Sequence, residues 1–327
     1  MKKRFLIPIF VIVALITGLF LGTIGSAATY NQPLYSTTVS TDLQKDAANQ
    51  RNGGQVYYVD GNKVSDGDGT SWSEAYNDLA SAITASHANI ALAGNRVWAA
   101  RNIIYVRGDR LDEDLTVFPQ KTDIIGVGSC DAYKGAGIIG NHAPTTTAMG
   151  TRFYNINFFP GADGDLVTLT SATSGMEFHN CQFVGVWSAK TAPSAIDMTG
   201  HPMAKIIGCV FRGAFGTAVI DLGAGDISGL EIRGNTIIGG ADNGIQATGT
   251  VTGVGVLGLG LIADNYIQVA DLTIDDGSDN ALIIIGNRCI SAEASAGAAY
   301  VIDDGLAADN IVTYNDGTSI NVPVTAD

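Results

Sequence analysis

The chain has 327 residues, 41 of them glycine, with 46% apolar and only 15% charged residues, whereas average usage is about 7% glycine and about 25% charge. The apolar share excludes intrinsic disorder, four cysteines are too few for a dense disulfide scaffold, and the glycines lack the period of three that collagen needs. A net charge of −14 argues against a nucleic-acid partner, because phosphate binding needs a basic face.

Lys2, Lys3 and Arg4 precede an apolar run from Phe5 to about Ile24, and Gly25, Ser26, Ala27 and Ala28 follow. That order of basic, apolar and small residues predicts a secretory signal over 1–28. The run exceeds the usual h-region of about 7–15 residues, so retention as an N-terminal membrane anchor is the alternative. Either way the expected location is extracellular or at the cell surface, with the membrane touched only through this segment. Removing its three basic residues takes the net charge from −14 to −17. Residues 29–55 are polar, show no sustained periodicity and read as a spacer.

Tyr57-Tyr58-Val59-Asp60 is strand-like, and Asp66-Gly67-Asp68-Gly69-Thr70 is a turn cluster. Ser71 and Glu74 have capping-box spacing, and Tyr76, Leu79, Ile83 and Ile90 fall near one helical face before Gly94, so a capping helix is expected over 73–93. Short β-type runs follow at Ile103–Val106, Leu115–Val117 and Ile124–Gly128. The ordered segments YYVD, GDGTSWSEAYNDLASAI, IIYVRGD and DLTVFPQKTDIIGVG, spanning about 56–128, resemble the N-terminal part of secreted and phage-borne right-handed parallel β-helices of the pectate-lyase-like superfamily. The resemblance implies the fold and identifies no activity.

Internal repeats give an independent test. A six-residue frame, apolar–x–(Asn/Gly/Asp)–(Ile/Cys/Asn)–x–apolar, begins at Phe153, Phe178, Ile206, Ile232, Ile262, Ile284 and Ala307, with spacings of 25, 28, 26, 30, 22 and 23 residues. One coil of a parallel β-helix takes about this many residues, and coils stack at the strand spacing of about 4.8 Å. The expected architecture is all-β: one right-handed parallel β-helix over 56–327, of nine or ten coils, capped by the helix. The fourth place of the frame reads Ile156, Cys181, Cys209, Asn235, Asn265, Asn287 and Asn310. Asparagines stacked this way satisfy backbone groups at a tight bend, so the column is read as a structural ladder. Cys181 and Cys209 are neighbours in it. Their side chains would point in parallel, so buried free thiols are expected and a disulfide is the alternative. Cys130 and Cys289 are far apart in this register.

A second frame aligns Thr168, Asp197, Asp221, Gln246, Asp275 and Asp303, each following an apolar residue. Strand alternation turns this column to solvent. Like acids on successive coils repel, so they raise one pKa, hold a cation such as calcium, or form a solvated stripe. Asp197 and Asp221 are the candidate catalytic pair and candidate calcium ligands; Asp275 and Asp303 are candidate binding residues. Glycoside-cleaving β-helices use paired carboxylates, and polygalacturonase-like enzymes carry an NTD, DD, HG and RIK series, of which NTD, HG and RIK do not occur here. Arg212 and Arg233 fall in the first frame, away from the aspartates, and read as surface ion partners. Asp109, Asp112, Glu113 and Asp114 form a second acidic cluster, a calcium candidate or a solvated loop. Trp187, in the long loop between frames and near Lys190, is a candidate sugar platform. His87, His142, His179 and His201 are scattered, and no Ser-His-Asp site or zinc motif is supported.

The leading functional reading is an exported surface or structural protein, leaning to non-catalytic, that presents a face to a polysaccharide, a surface glycan or partner subunits, with self-association open. It requires no cofactor; calcium is the one candidate ion. Alternatives are a polysaccharide lyase or glycoside hydrolase with an atypical acidic site, and a phage-derived or virion-associated fibre component.

Overall fold

Apolar residues at alternate positions of short runs favour strands with one face buried, and here each strand pairs in parallel with the strand one turn earlier. The computed structural model describes residues 54–92, 100–128, 135–145, 148–170, 173–240, 243–247, 251–252, 260–270, 274–276, 282–291, 302–303, 311–313 and 320–321. Among them a first sheet of ten strands runs from Val56–Asp60 to Ile311–Thr313, a second of eight from Leu111–Asp112 to Arg288–Ser291, and a third of seven from Val167–Thr168 to Ile320–Asn321. The chain is a parallel β-solenoid of about six turns in which all three sheets are present. The nine or ten coils expected match the rungs of the first sheet alone. In the turn before the first complete one, the third sheet is represented among the described residues by a single bridge between His142 and Val167. The N-terminal signal or anchor and nearly all of the spacer lie outside the described residues.

Each complete turn leaves the first sheet through a two-residue bend, and the repeat alphabet follows from its geometry. The third place of the frame has positive φ in every turn: Asn155 (57°), Asn180 (51°), Gly208 (65°), Gly234 (65°), Asp264 (57°) and Gly286 (68°). Only Gly, and less readily Asn or Asp, enters this left-handed region cheaply. The next residue turns inward as the ladder. Asn235 Nδ2 donates to the Ile206 carbonyl (2.9 Å), Asn265 Nδ2 to Ile232 (3.0 Å) and Asn287 Nδ2 to Ile262 (3.0 Å). Their Oδ1 atoms accept from the backbone N–H of the preceding rung, at Cys209 (2.8 Å), Asn235 (3.0 Å) and Asn265 (3.0 Å). Asn235 and Asn265 also donate to the Oδ1 of the next asparagine, at 2.9 and 2.8 Å. Asn235 and Asn265 therefore each tie three coils together.

Cys181 and Cys209 continue the column as free, buried thiols. Their Sγ atoms donate to the Phe153 and Phe178 carbonyls at 3.5 and 3.3 Å, the places equivalent to those the asparagines reach. Burial pushes the Cys181 thiol well above its ordinary pKa, and the neighbouring Cys209 adds to this. Cys289 is likewise a buried thiol outside any disulfide, and Cys130 lies outside the described residues.

Register departs from expectation at the last rung. Val312 pairs with Ile284, which displaces Ala307 from the frame. Asn310 lies outside the described residues, and the position three after Val312 is Asn315.

Inside, the alternate residues form vertical stacks. Phe158, Phe183 and Phe211 lie parallel at 4.8 Å steps, and Phe153 stacks on Phe178 at 5.3 Å. The columns continue as Ile237 and Ile267, and as Ile206, Ile232, Ile262 and Ile284. These side chains are 0–2% exposed, each contributing roughly 1.5–3 kcal/mol of burial.

The helix α1 spans Leu79–Leu92, starting six residues later than expected and burying Leu79, Ile83 and Ile90. Ser71 and Glu74 make a turn instead of a cap (Glu74 N–H to Ser71 Oγ, 3.2 Å), and Tyr76 is held in a bridge to Val59. Asp78 caps the helix through Ser81 N–H (2.6 Å), and Glu113 reaches in from the next coil to accept from Leu79 N–H (2.6 Å) and Ala80 N–H (2.9 Å). Two carboxylates thus face the positive end of the helix.

Replacing Asn265 with Leu should cost roughly 1–3 kcal/mol, because it strands the Asn235 N–H and the Ile232 carbonyl in the interior. Chemical denaturation measures this; an unchanged midpoint would show that the amide ladder carries no stability.

Candidate functional site

The third sheet puts Val167, Ile196, Ile220, Ile245, Ile274, Ile302 and Ile320 in register, and the first five of these are buried. The residue after each takes the next register position, so Thr168, Asp197, Asp221, Gln246, Asp275, Asp303 and Asn321 stand in one line, and Thr168, Asp197, Asp221 and Gln246 are half-exposed there. The alignment drawn from spacing holds through all six turns, and Asn321 extends it.

Asp197 and Asp221 are half-exposed on directly paired rungs. Asp197 Oδ1 accepts from Thr199 Oγ1 (3.0 Å) and Asp221 Oδ1 from Gly223 N–H (2.8 Å). Burial raises the Asp221 carboxyl above the usual carboxylate range, and the like charge of Asp197 adds to it against the Gly223 hydrogen bond. Asp165, one turn earlier, is also raised, chiefly by burial and further by Asp197 and Asp221. The three acids form one electrostatic neighbourhood. Among the described residues, however, no group of three or more His, Cys, Asp or Glu side chains is placed to hold a metal ion.

A shallow pocket of about 220 Å³ adjoins the head of the column, lined by residues 141–143 and 162–165 with Thr168. It falls below the roughly 300 Å³ at which typical small-molecule sites begin. Its rim is a second ladder that spacing did not reveal. Asp114 Oδ1 accepts from Asn141 N–H (2.8 Å), Asn141 Oδ1 from Ala162 N–H (2.8 Å), and Asn141 Nδ2 donates to the Asp165 carbonyl (2.9 Å). Asp163 and Asp165 then accept from Thr191 N–H (2.9 Å) and Ser194 N–H (2.8 Å). Side-chain acceptors one turn away hold each loop in place. His142 borders the pocket, but its ring lies in the core against Phe158 (5.7 Å, 70°) and its Nδ1 accepts from Leu115 N–H (3.2 Å).

The other sequence candidates are engaged differently. Trp187 lies in an antiparallel hairpin, Val186–Trp187 paired with Lys190–Thr191, and not in an open loop. Its ring packs on Phe159 (4.8 Å) and under Arg110 (4.6 Å), so part of the proposed sugar platform is covered. Of the second acidic cluster, Glu113 caps α1 and Asp114 holds Asn141, while Asp109 and Asp112 are exposed. Arg233 pairs with Glu231 (3.4 Å) on the first sheet, and Arg212 lies on the second, so neither shares a sheet with the aspartate column.

The outer face of the first sheet carries the opposite arrangement. Asp123, Arg152, Glu177, Lys205 and Glu231 occupy one register position in successive rungs with alternating sign. Arg152 clasps Asp123 through two nitrogens, at 2.7 and 2.9 Å, and Lys205 approaches Glu231 at 4.0 Å. Charge is compensated on that face and left uncompensated at Asp197 and Asp221.

Comparison with protein-family models, with curated proteins and with solved structures finds no match to this chain.

Because its neighbour is also an acid, Asp221→Asn should raise stability at pH 7 by about 0.2–1 kcal/mol, the scale of one cross-strand pair. Asp221 has a raised folded-state pKa, so its cost to the fold is present above that pKa and vanishes as pH falls below it. Thermal melts of both proteins at neutral and acid pH test this: the gain should appear only at the higher pH.

Proposed function

We propose that this chain is a non-catalytic, exported solenoid, related to the pectate-lyase-like β-helices, whose third sheet binds a hydroxyl-rich glycan along the solenoid axis. The observation that carries the reading is the register line Thr168, Asp197, Asp221, Gln246, Asp275, Asp303 and Asn321, one polar residue per rung, half-exposed at Thr168, Asp197, Asp221 and Gln246. With rungs about 4.8 Å apart, such a line offers acceptors and donors at the scale of successive sugar units.

The chemistry of the column supports holding over cleaving. Asp197 and Asp221 each commit one carboxylate oxygen to a local hydrogen bond, which fixes their geometry and leaves the other oxygen to accept from a hydroxyl. The compensated charge on the first sheet contrasts with the bare acids here, and surfaces selected for stability alone favour the former. Net negative charge disfavours an acidic polymer, so the ligand is neutral, or bound through a bridging cation such as calcium.

The test is retention on immobilised neutral polysaccharides, with and without calcium. The double variant Asp197→Asn, Asp221→Asn should bind about tenfold more weakly, since two charge-assisted hydrogen bonds become neutral ones. Equal retention of both proteins would remove the column from the site. Release of reducing or unsaturated sugar ends by the wild type, lost in the double variant, would replace the binding reading with the lyase or hydrolase one.

A further inference from the structure

The corner where the third sheet returns to the first is built differently from the amide-laddered bend, and its joint is a histidine. His201 is completely buried in the bend that follows Ile196–Asp197. Its Nε2 accepts from the backbone N–H of Met176 (3.4 Å), one coil earlier, and its Nδ1 bonds Thr173 Oγ1 (2.7 Å). Thr173 Oγ1 in turn bonds the Thr170 carbonyl (2.8 Å), which assigns the Thr hydroxyl proton to that carbonyl and the ring proton to Nδ1. The neutral tautomer so defined satisfies both neighbours. A backbone bond from Gly175 N–H to the Pro202 carbonyl (3.0 Å) lies alongside, and Met203 sits at φ 59°, so the bend depends on being held.

We propose that His201 is an acid-sensitive joint, closing this corner when neutral and releasing the Thr173–Met176 segment when protonated. Protonation puts a hydrogen on Nε2, which then faces the Met176 N–H donor to donor inside a closed site. The carbonyls of Thr170 and Thr173 favour the cation to a small degree, and burial outweighs them, holding the ring at about 4 against an ordinary 6.5. No ionised side chain among the described residues contributes at the ring. The charged residues on the strands flanking this corner are engaged elsewhere: Asp197 with Thr199, Glu177 with His179, and Lys205 towards Glu231.

Since the folded-state pKa is depressed, the opened corner takes up the proton first. The joint is therefore fully effective above about pH 6.5 and weakens as pH falls towards about 4. The asparagine amides of the other bend do not titrate, so the response should be local.

Hydrogen exchange of the full chain, corrected for intrinsic rate, tests this between pH 7 and 4.5. Protection of the Met176 amide should fall about tenfold per pH unit below about 6.5, while the Asn235 and Asn265 amides keep theirs. His201→Gln, which keeps a donor and an acceptor without titrating, should remove that slope. A flat Met176 response in the wild type overturns the proposal, as does an unchanged slope in His201→Gln. Simultaneous loss at Met176, Asn235 and Asn265 would show global unfolding and overturn it too. If His201→Gln does not fold, the contrast between these amides in the wild type still decides. The measurement reads no glycan, so its result is independent of the binding reading.

Discussion

A chain that bends inward once per turn buries the peptide groups of that bend, and leaving one such group unsatisfied costs about 1–3 kcal/mol. Every complete turn of this solenoid meets that constraint at the same corner. The left-handed residue brings the next side chain inward, and Asn235, Asn265 and Asn287 use it to close an N–H and a C=O group of the preceding rung. Because the amides of Asn235 and Asn265 need the rung before and the rung after in place, register at this corner sets the alignment of all three sheets. The phenylalanine stacks follow from that register: rings two residues on from the ladder can stack at 4.8 Å only if their corners are aligned.

The column also shows how the same problem is met with weaker chemistry. Cys181 and Cys209 supply a donor to the carbonyls that asparagine would reach, and a thiol accepts poorly. Those rungs are the ones flanked by large aromatic stacks, Phe153 on Phe178 and Phe158 on Phe183 on Phe211, whereas the asparagine rungs pack isoleucine. Aromatic stacking, worth about 0.5–1.5 kcal/mol per pair beyond area, offsets the poorer hydrogen bonds there.

Electrostatics divides the outer surface. On the first sheet alternating signs neutralise one another rung by rung; on the third, Asp197 faces Asp221 with Asp165 close by, and both Asp165 and Asp221 are raised by burial and by the charge of Asp197. A line of like acids contributes nothing to folding that the isoleucines behind it do not already supply. Its physical meaning lies in what it presents to solvent, which is why the functional reading rests on this face.

The periodic part of this structure was legible in the sequence. Rungs from Phe153 to Ile284, the ladder at Cys181, Cys209, Asn235, Asn265 and Asn287, and the register line from Thr168 to Asp303 all follow from a local alternation and a repeated six-residue frame, because strand geometry ties both to one face. Tertiary structure alone decided the rest. The start of α1 at Leu79 depends on Glu113 arriving from the next coil, and the rim of the pocket on Asp114, Asn141, Asp163 and Asp165 meeting loops 21 to 29 residues away. Loop lengths vary between turns, so no period marks those partners. The burial of His201 and the shift from Ala307 to Val312 in the last rung have the same origin: the pairing that fixes them is set by neighbouring coils, and a local pattern carries no information about a neighbour's register.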